Sequence, residues 1–199
     1  AGVKSSIVGM AGAVQIALAG MAVGAVASTG LMARAMVRSA SDMAESQSKL
    51  RIVFGESAEG IENWAKGSTF NLGMSAQAAI EATGTFGNFA QSLGLSRGEA
   101  AKMSPALVQL AADLASFNNA NPEEVLLALR SGLSGETEPM RRFGVAINAA
   151  AVESAALSLG LAKTKDEITE GIKVQARYAL IMDQTKTAQG DFARTSGGL

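Results

Sequence analysis

The chain contains no cysteine and no histidine. Without cysteine there is no disulfide and no thiolate site. Without histidine the commonest general base and the commonest zinc ligand are missing. Neither sign of charge dominates: 17 Lys+Arg face 18 Asp+Glu. That balance gives no basic footprint for sequence-specific nucleic-acid binding and no acidic tail. Charge is also missing locally, because no Asp, Glu, Lys or Arg occurs between Lys4 and Arg34. What remains is a chain of 199 residues with 22 glycines, a glycine share above the usual ~7%. The length suits one ordinary domain plus an apolar segment. The first residue is Ala1, so the chain reads as a fragment or a processed product.

From Ile7 to Ala27 nearly every residue is apolar or glycine, and Gln15 is the only strongly polar side chain. About 20 helical residues at about 1.5 Å each cross a hydrocarbon layer of about 30 Å. The tract is long enough for that. Two other readings stay open. Lys4 and Ala25-Val26-Ala27 fit the flank and cleavage site of a signal peptide, although the apolar run exceeds the usual core of about 7 to 15 residues. A buried core helix is the other, since glycine softens the hydrophobicity. Gly9, Gly12, Gly20 and Gly24 each weaken a water-exposed helix by about 1 kcal/mol relative to Ala. In lipid or in a tight cluster, small residues instead let backbones approach. Gly20 and Gly24 form a GxxxG, Ala13 and Ala17 repeat its spacing, and Gln15 is placed to hydrogen-bond across a bundle. Gly9, Ala13, Gln15, Ala17, Gly20 and Gly24 are therefore the candidate membrane-inserting and self-association residues.

The rest reads as helix after helix. Leu31 to about Phe54 carries Arg38/Asp42 and Glu45/Lys49 at four-residue spacing, with Gly55 as a stop. Ser57 to about Thr69 is expected to be helical, with Glu62/Lys66 paired and Ile61 and Trp64 inward. Ser75 is placed to cap a helix in which Phe86, Phe89 and Leu93 share a face. Ser96-Arg97-Gly98-Glu99 is a capping box, followed by the stripe Met103, Leu107, Leu110, Leu114 and Phe117. Asn121-Pro122-Glu123-Glu124 matches a helix start, after which Val125, Leu126, Leu129 and Leu133 bury one side. Thr164 to Glu167 reads as a second capping box, for a helix burying Ile168, Ile172, Ala179 and Met182. Val145-Ala146-Ile147 is too brief for a strand. The expected fold is all-α: one long apolar, transmembrane-like helix in residues 1–34, then a series of short amphipathic helices in residues 35–199.

No constellation points to catalysis. The acid pairs Glu123/Glu124 and Asp166/Glu167 sit where helix starts favour acids, and Glu136/Glu138 reads as solvated. Ser5-Ser6 and Ser39 to Ser41 have no histidine partner, and no GxxxxGK[ST] phosphate loop is present. Trp64 and Tyr178 are isolated aromatics, and Arg141-Arg142 needs further cations before it can hold a phosphate. The chain is expected to have no enzymatic activity, no metal and no cofactor.

One stretch is more specific than its physics. Ala128 to Val145 reads ALRSGLSGETEPMRRFGV, with Gly132 and Gly135 allowing a reversal, Pro139 opening a short helix, and Met140 beside Phe143. This wording closely resembles a segment of the tail tape measure proteins of long-tailed, siphovirus-like bacteriophages. The likeness extends to SKLRIVFGESAEGIENWAK at Ser48 to Lys66, LAADLASFNN at Leu110 to Asn119, and QARYALIMDQTKTAQGDFARTSGGL at Gln175 to Leu199. It covers roughly Ser48 onward; over the apolar start it is only a likeness of type. The resemblance implies a virion protein lying in the lumen of the tail tube, whose full length sets tail length and which helps DNA cross the host membrane at ejection. It implies several copies, with a trimer favoured. The tail tube protein, tail-tip proteins, tail assembly chaperones and the host membrane are the implied partners. A secreted or effector-type pore-forming helical protein is the rival reading, because it shares the apolar helix and lacks the ruler.

Overall fold

A computed structural model describes residues 41–68 and 72–196. Every element among them is helical. α1 covers residues 41–54, and a 3-10 turn at Gly55–Ser57 leads to α2, Ala58–Lys66. There follow α3 (Ala76–Ser92), α4 (Arg97–Asn118), α5 (Pro122–Ser134), a 3-10 turn at Glu138–Phe143, α6 (Ala149–Ser158), a 3-10 turn at Lys165–Glu167, α7 (Glu170–Gln184) and α8 (Asp191–Ser196). Contacts divide the chain into Ala1–Glu45 and Ser46–Leu199. Among the described residues no helix is long and apolar enough to cross a membrane. The tract from Ile7 to Ala27, expected to form such a helix, lies outside the described residues.

α4 is the centre of the Ser46–Leu199 unit. It packs against α2, α3, α5 and α8, and so it is buried over far more than one stripe. Met103, Leu107, Val108, Leu110, Ala111, Ala112 and Leu114 are all covered. Its start is the expected capping box: Glu99 N–H donates to Ser96 Oγ at 3.3 Å, and Ser96 N–H donates to Glu99 Oε2 at 2.8 Å. Pro105 has no N–H to offer the Ala101 carbonyl, and beside it Ser104 Oγ donates to the Ala100 carbonyl at 2.7 Å. The helix closes on Asn119 in the left-handed region, φ 49°, a conformation asparagine tolerates better than most residues.

α3 reaches α1 through small residues. Its buried face is Ala79, Ile80, Thr83, Gly84, Phe86, Gly87 and Ala90. Phe54 and Val53 sit directly over Gly87, and Leu50 faces Gly84. Ser75 caps this helix as expected, accepting from Ala78 N–H at 3.1 Å. Asn121 caps α5 by accepting from Glu123 N–H at 2.9 Å, with Pro122 in the first turn.

Gly55, in the left-handed region, stops α1 as expected and begins the 3-10 turn before α2. Several other expectations are corrected. Glu62 pairs with Arg51 at 3.4 Å instead of Lys66, whose ammonium goes to Asn63 at 2.8 Å. Trp64 is half-buried, while Ala65 beside it is fully covered. Phe89, Leu93 and Leu126 are also only half-buried. Phe117, the last residue of the expected stripe, is 52% exposed, because it lies at the end of α4 beyond the packed turns. Thr164 makes no capping bond: the Glu167 carboxylate accepts from Lys163 N–H, and α7 starts later, capped by Thr169. Ile168 therefore precedes the helix, and the face that α7 buries is the neighbouring one, carrying Val174 and Ile181, while Ile168, Ile172, Ala179 and Met182 are half-buried. α6 carries no strong sequence signal, being half alanine, and it packs against α7.

Candidate functional site

The six residues expected to drive insertion and self-association, Gly9, Ala13, Gln15, Ala17, Gly20 and Gly24, all lie outside the described residues. Within the described residues, several of the groups considered for chemistry are engaged by structure, while Glu136 and Asp166 are exposed. Glu123 and Glu124 stand in the first turn of α5, where acids suit the helix dipole. Arg142 pairs with Glu124 and lies over the Phe143 ring at 4.6 Å, and Arg141 pairs with Glu138 at 3.2 Å. This arginine pair is therefore neutralised rather than gathered around an anion. Among the described residues no group of His, Cys, Asp and Glu is arranged to hold a metal ion. Tyr178 is half-buried, and burial pushes its phenol above the ordinary value. Glu99 is held below the ordinary carboxylate value, chiefly by the Ser96 hydroxyl and then by the Ser96 backbone; Gln175 adds a hydrogen bond at 2.9 Å.

The polar side chains that do converge fasten two turns. The first lies in the ALRSGLSGETEPMRRFGV stretch. Gly135 ends α5 at φ 106°, and the Arg177 guanidinium of α7 lies against it. Arg177 donates to the Leu133 carbonyl at 2.9 Å, which satisfies one of the free carbonyls at that helix end. Gly132 is not part of the reversal as expected. It sits inside α5 and is covered by Met140, whose Cγ would lie 2.7 Å from an added Cβ. Met140 and Phe143 are both buried. Thr137 donates to the Ile147 carbonyl at 3.1 Å, and Gln184 of α7 bonds both backbone groups of Ala146.

The second lies in the QTKTAQGDFARTSGGL stretch. Asp113 of α4 is 2% exposed. Its two oxygens accept from Gly190 N–H at 2.9 Å and from Phe192 N–H at 3.2 Å. Ser116, one turn on, donates to Asp191 at 2.8 Å and meets Thr195 at 3.0 Å. Arg194 closes the turn by donating to the Gln189 carbonyl at 2.8 Å. α8 is only six residues long and would not hold its helix unaided. Asp113 and Ser116 hold it to the centre of the unit.

No family model, no curated protein and no solved structure matches this chain. The functional reading therefore rests on the residues themselves. Sequence reasoning missed Asp113 and Arg177 as fasteners. Asp113 left a trace, as the one acid among Leu110, Ala111, Ala112, Leu114 and Ala115. Arg177 left none, because its partner is a carbonyl 44 residues away.

Proposed function

We propose that the chain is an internal segment of a tail tape measure protein of a long-tailed, siphovirus-like bacteriophage. In this reading it occupies the tail tube lumen in several copies, a trimer by resemblance, in contact with tube and tail-tip proteins after delivery by tail assembly chaperones. The full protein sets tail length. The observation that carries the reading is the uncharged tract between Lys4 and Arg34 joined to a chain that is charged and helix-patterned. Such a tract must leave water, by clustering inside the tube or by entering the host membrane at ejection. The ordered stretches from Ser48 to Leu199 support the family assignment. Length measurement belongs to other parts of the full protein, since the longest described helix has 22 residues and spans about 33 Å.

The test uses the intact chain and dye-loaded vesicles of bacterial phospholipid. The expected result is dye release that falls when Gly20→Ile and Gly24→Ile close the small-residue face. Absence of insertion by the intact chain under every condition would remove the membrane step. The tape measure assignment has a separate test. The complete reading frame should run for many hundreds of residues with long helical stretches, whereas a pore-forming effector should not.

A further inference from the structure

α5 buries Val125, Ala128, Leu129, Gly132 and Leu133 against the core, yet its outer side is not uniformly polar. Leu127 is 58% exposed. With Leu126, and with Ala82, Thr85 and Phe86 of α3, it lines an apolar groove of about 310 Å³. Glu123 and Arg130 line the same groove, about one turn to either side of the leucines along α5. Glu123, Leu126, Leu127 and Arg130 follow i, i+3, i+4, i+7 spacing and so form one stripe. The two charges are about 10 Å apart along the helix axis, too far to pair with each other. Among the described residues neither has an ion-pair partner, although Glu124 next to Glu123 is engaged by Arg142.

We propose that this face receives a second copy of the chain, with the two α5 helices crossing antiparallel about a two-fold axis beside Leu127. A two-fold interface must be self-complementary, and the stripe is. The midpoint between Glu123 and Arg130 falls between Leu126 and Leu127. Antiparallel pairing therefore sets Glu123 of each copy against Arg130 of the other and places each Leu127 in the opposite groove. Parallel pairing sets acid against acid and cation against cation, which opposes association. The stripe is short, below the ~1,200–2,000 Å² of a standard stable interface, so the pair is weak and reversible. This interface is a contact of the free chain in solution, separate from the several-copy arrangement proposed for the tail tube, and it depends neither on the tape measure reading nor on the apolar tract.

The absence of cysteine makes the test direct, because a single introduced thiol has no competitor. The full chain is purified in mild detergent, and far-UV circular dichroism checks that each variant keeps its helix content. Leu127→Cys is expected to oxidise to a disulfide-linked dimer. Glu123→Cys and Arg130→Cys are each expected to stay largely monomeric alone and to crosslink when mixed. Adding Glu123→Arg or Arg130→Glu to Leu127→Cys should lower the crosslinked fraction severalfold, and combining the two reversals should restore it. Three outcomes would each overturn the proposal. One is self-crosslinking of Glu123→Cys as efficient as the mixture. Another is no Leu127→Cys dimer at any concentration. The third is a reversal effect that the combined swap does not repair.

Discussion

Asp113 is a carboxylate inside a core, and among the described residues no cation pairs with it. Backbone N–H groups take that role, one from Gly190 and one from Phe192. A buried acceptor of this kind is stable only while its donors stay in place, and the donors likewise need the acceptor. Replacing Asp113 by Asn keeps the shape but turns one oxygen into an NH2 group that faces a donor. The expected cost is about 1–3 kcal/mol, concentrated in the docking of α8. Hydrogen exchange would read it residue by residue. The Gly190 and Phe192 amides should lose protection about tenfold or more, since about 1.4 kcal/mol corresponds to a factor of ten, while amides in the middle of α4 change less. Unaltered protection at Gly190 and Phe192 would mean that Asp113 does not hold this turn. The sequence marked the position as odd, an acid in an alanine and leucine run. It did not mark its partner, because a backbone N–H has no residue identity to read.

Local signals fixed most element starts, and they failed where distant packing decided. Ser75, Ser96 with Glu99, and Asn121 all act as the caps their spacing indicated. Thr164 does not, because Thr169 competes for the same start and the chain turns once more before α7 begins. Apolar spacing located helices but misjudged faces, as at Phe117 and Trp64. Glycine shows the difference most clearly. Gly60 lies in α2 with nothing within 4 Å of where a Cβ would sit. Gly87 lies in α3 beneath Phe54, and an added Cβ would stand 2.9 Å from Val53 Cγ1 and nearer still to the Phe54 ring. One substitution therefore has opposite signs in two helices. Gly60→Ala is expected to stabilise by up to about 1 kcal/mol through helix propensity. Gly87→Ala is expected to destabilise by about 1–3 kcal/mol, because the α1–α3 contact is overpacked. Denaturant midpoints of the two variants would check both. A stabilising Gly87→Ala would show that α1 does not pack on α3 in the way described.

At the level of the whole molecule, two kinds of sequence stand in one chain. The uncharged tract ends before Arg34, and the Ser46–Leu199 unit builds its own core around α4 from Leu50, Leu107, Leu110, Leu114, Leu129, Leu133, Val174 and Ile181. A unit of about 150 residues buries roughly 70% of the surface its unfolded chain exposes, enough for an independent cooperative core. Helical character was legible along most of this unit, from recurring capping residues and apolar spacing, but not at α6, whose alanines carry neither signal. The centrality of α4 was not, because its alanines read as weak on any one face and only packing from several sides buries them. These observations predict that a chain beginning at Ser46 folds alone. It should stay in solution without detergent and keep its helical signal per residue. It should also melt in a single transition by circular dichroism that coincides with loss of near-ultraviolet signal from Trp64 and Tyr178. The full chain, by contrast, should need detergent or sediment as a large assembly, since the tract from Ile7 to Ala27 has only Gln15 as a strongly polar side chain to offer water. If the shortened chain instead kept its helices but lost its near-ultraviolet signal and its sharp transition, the core around α4 would depend on residues before Ser46.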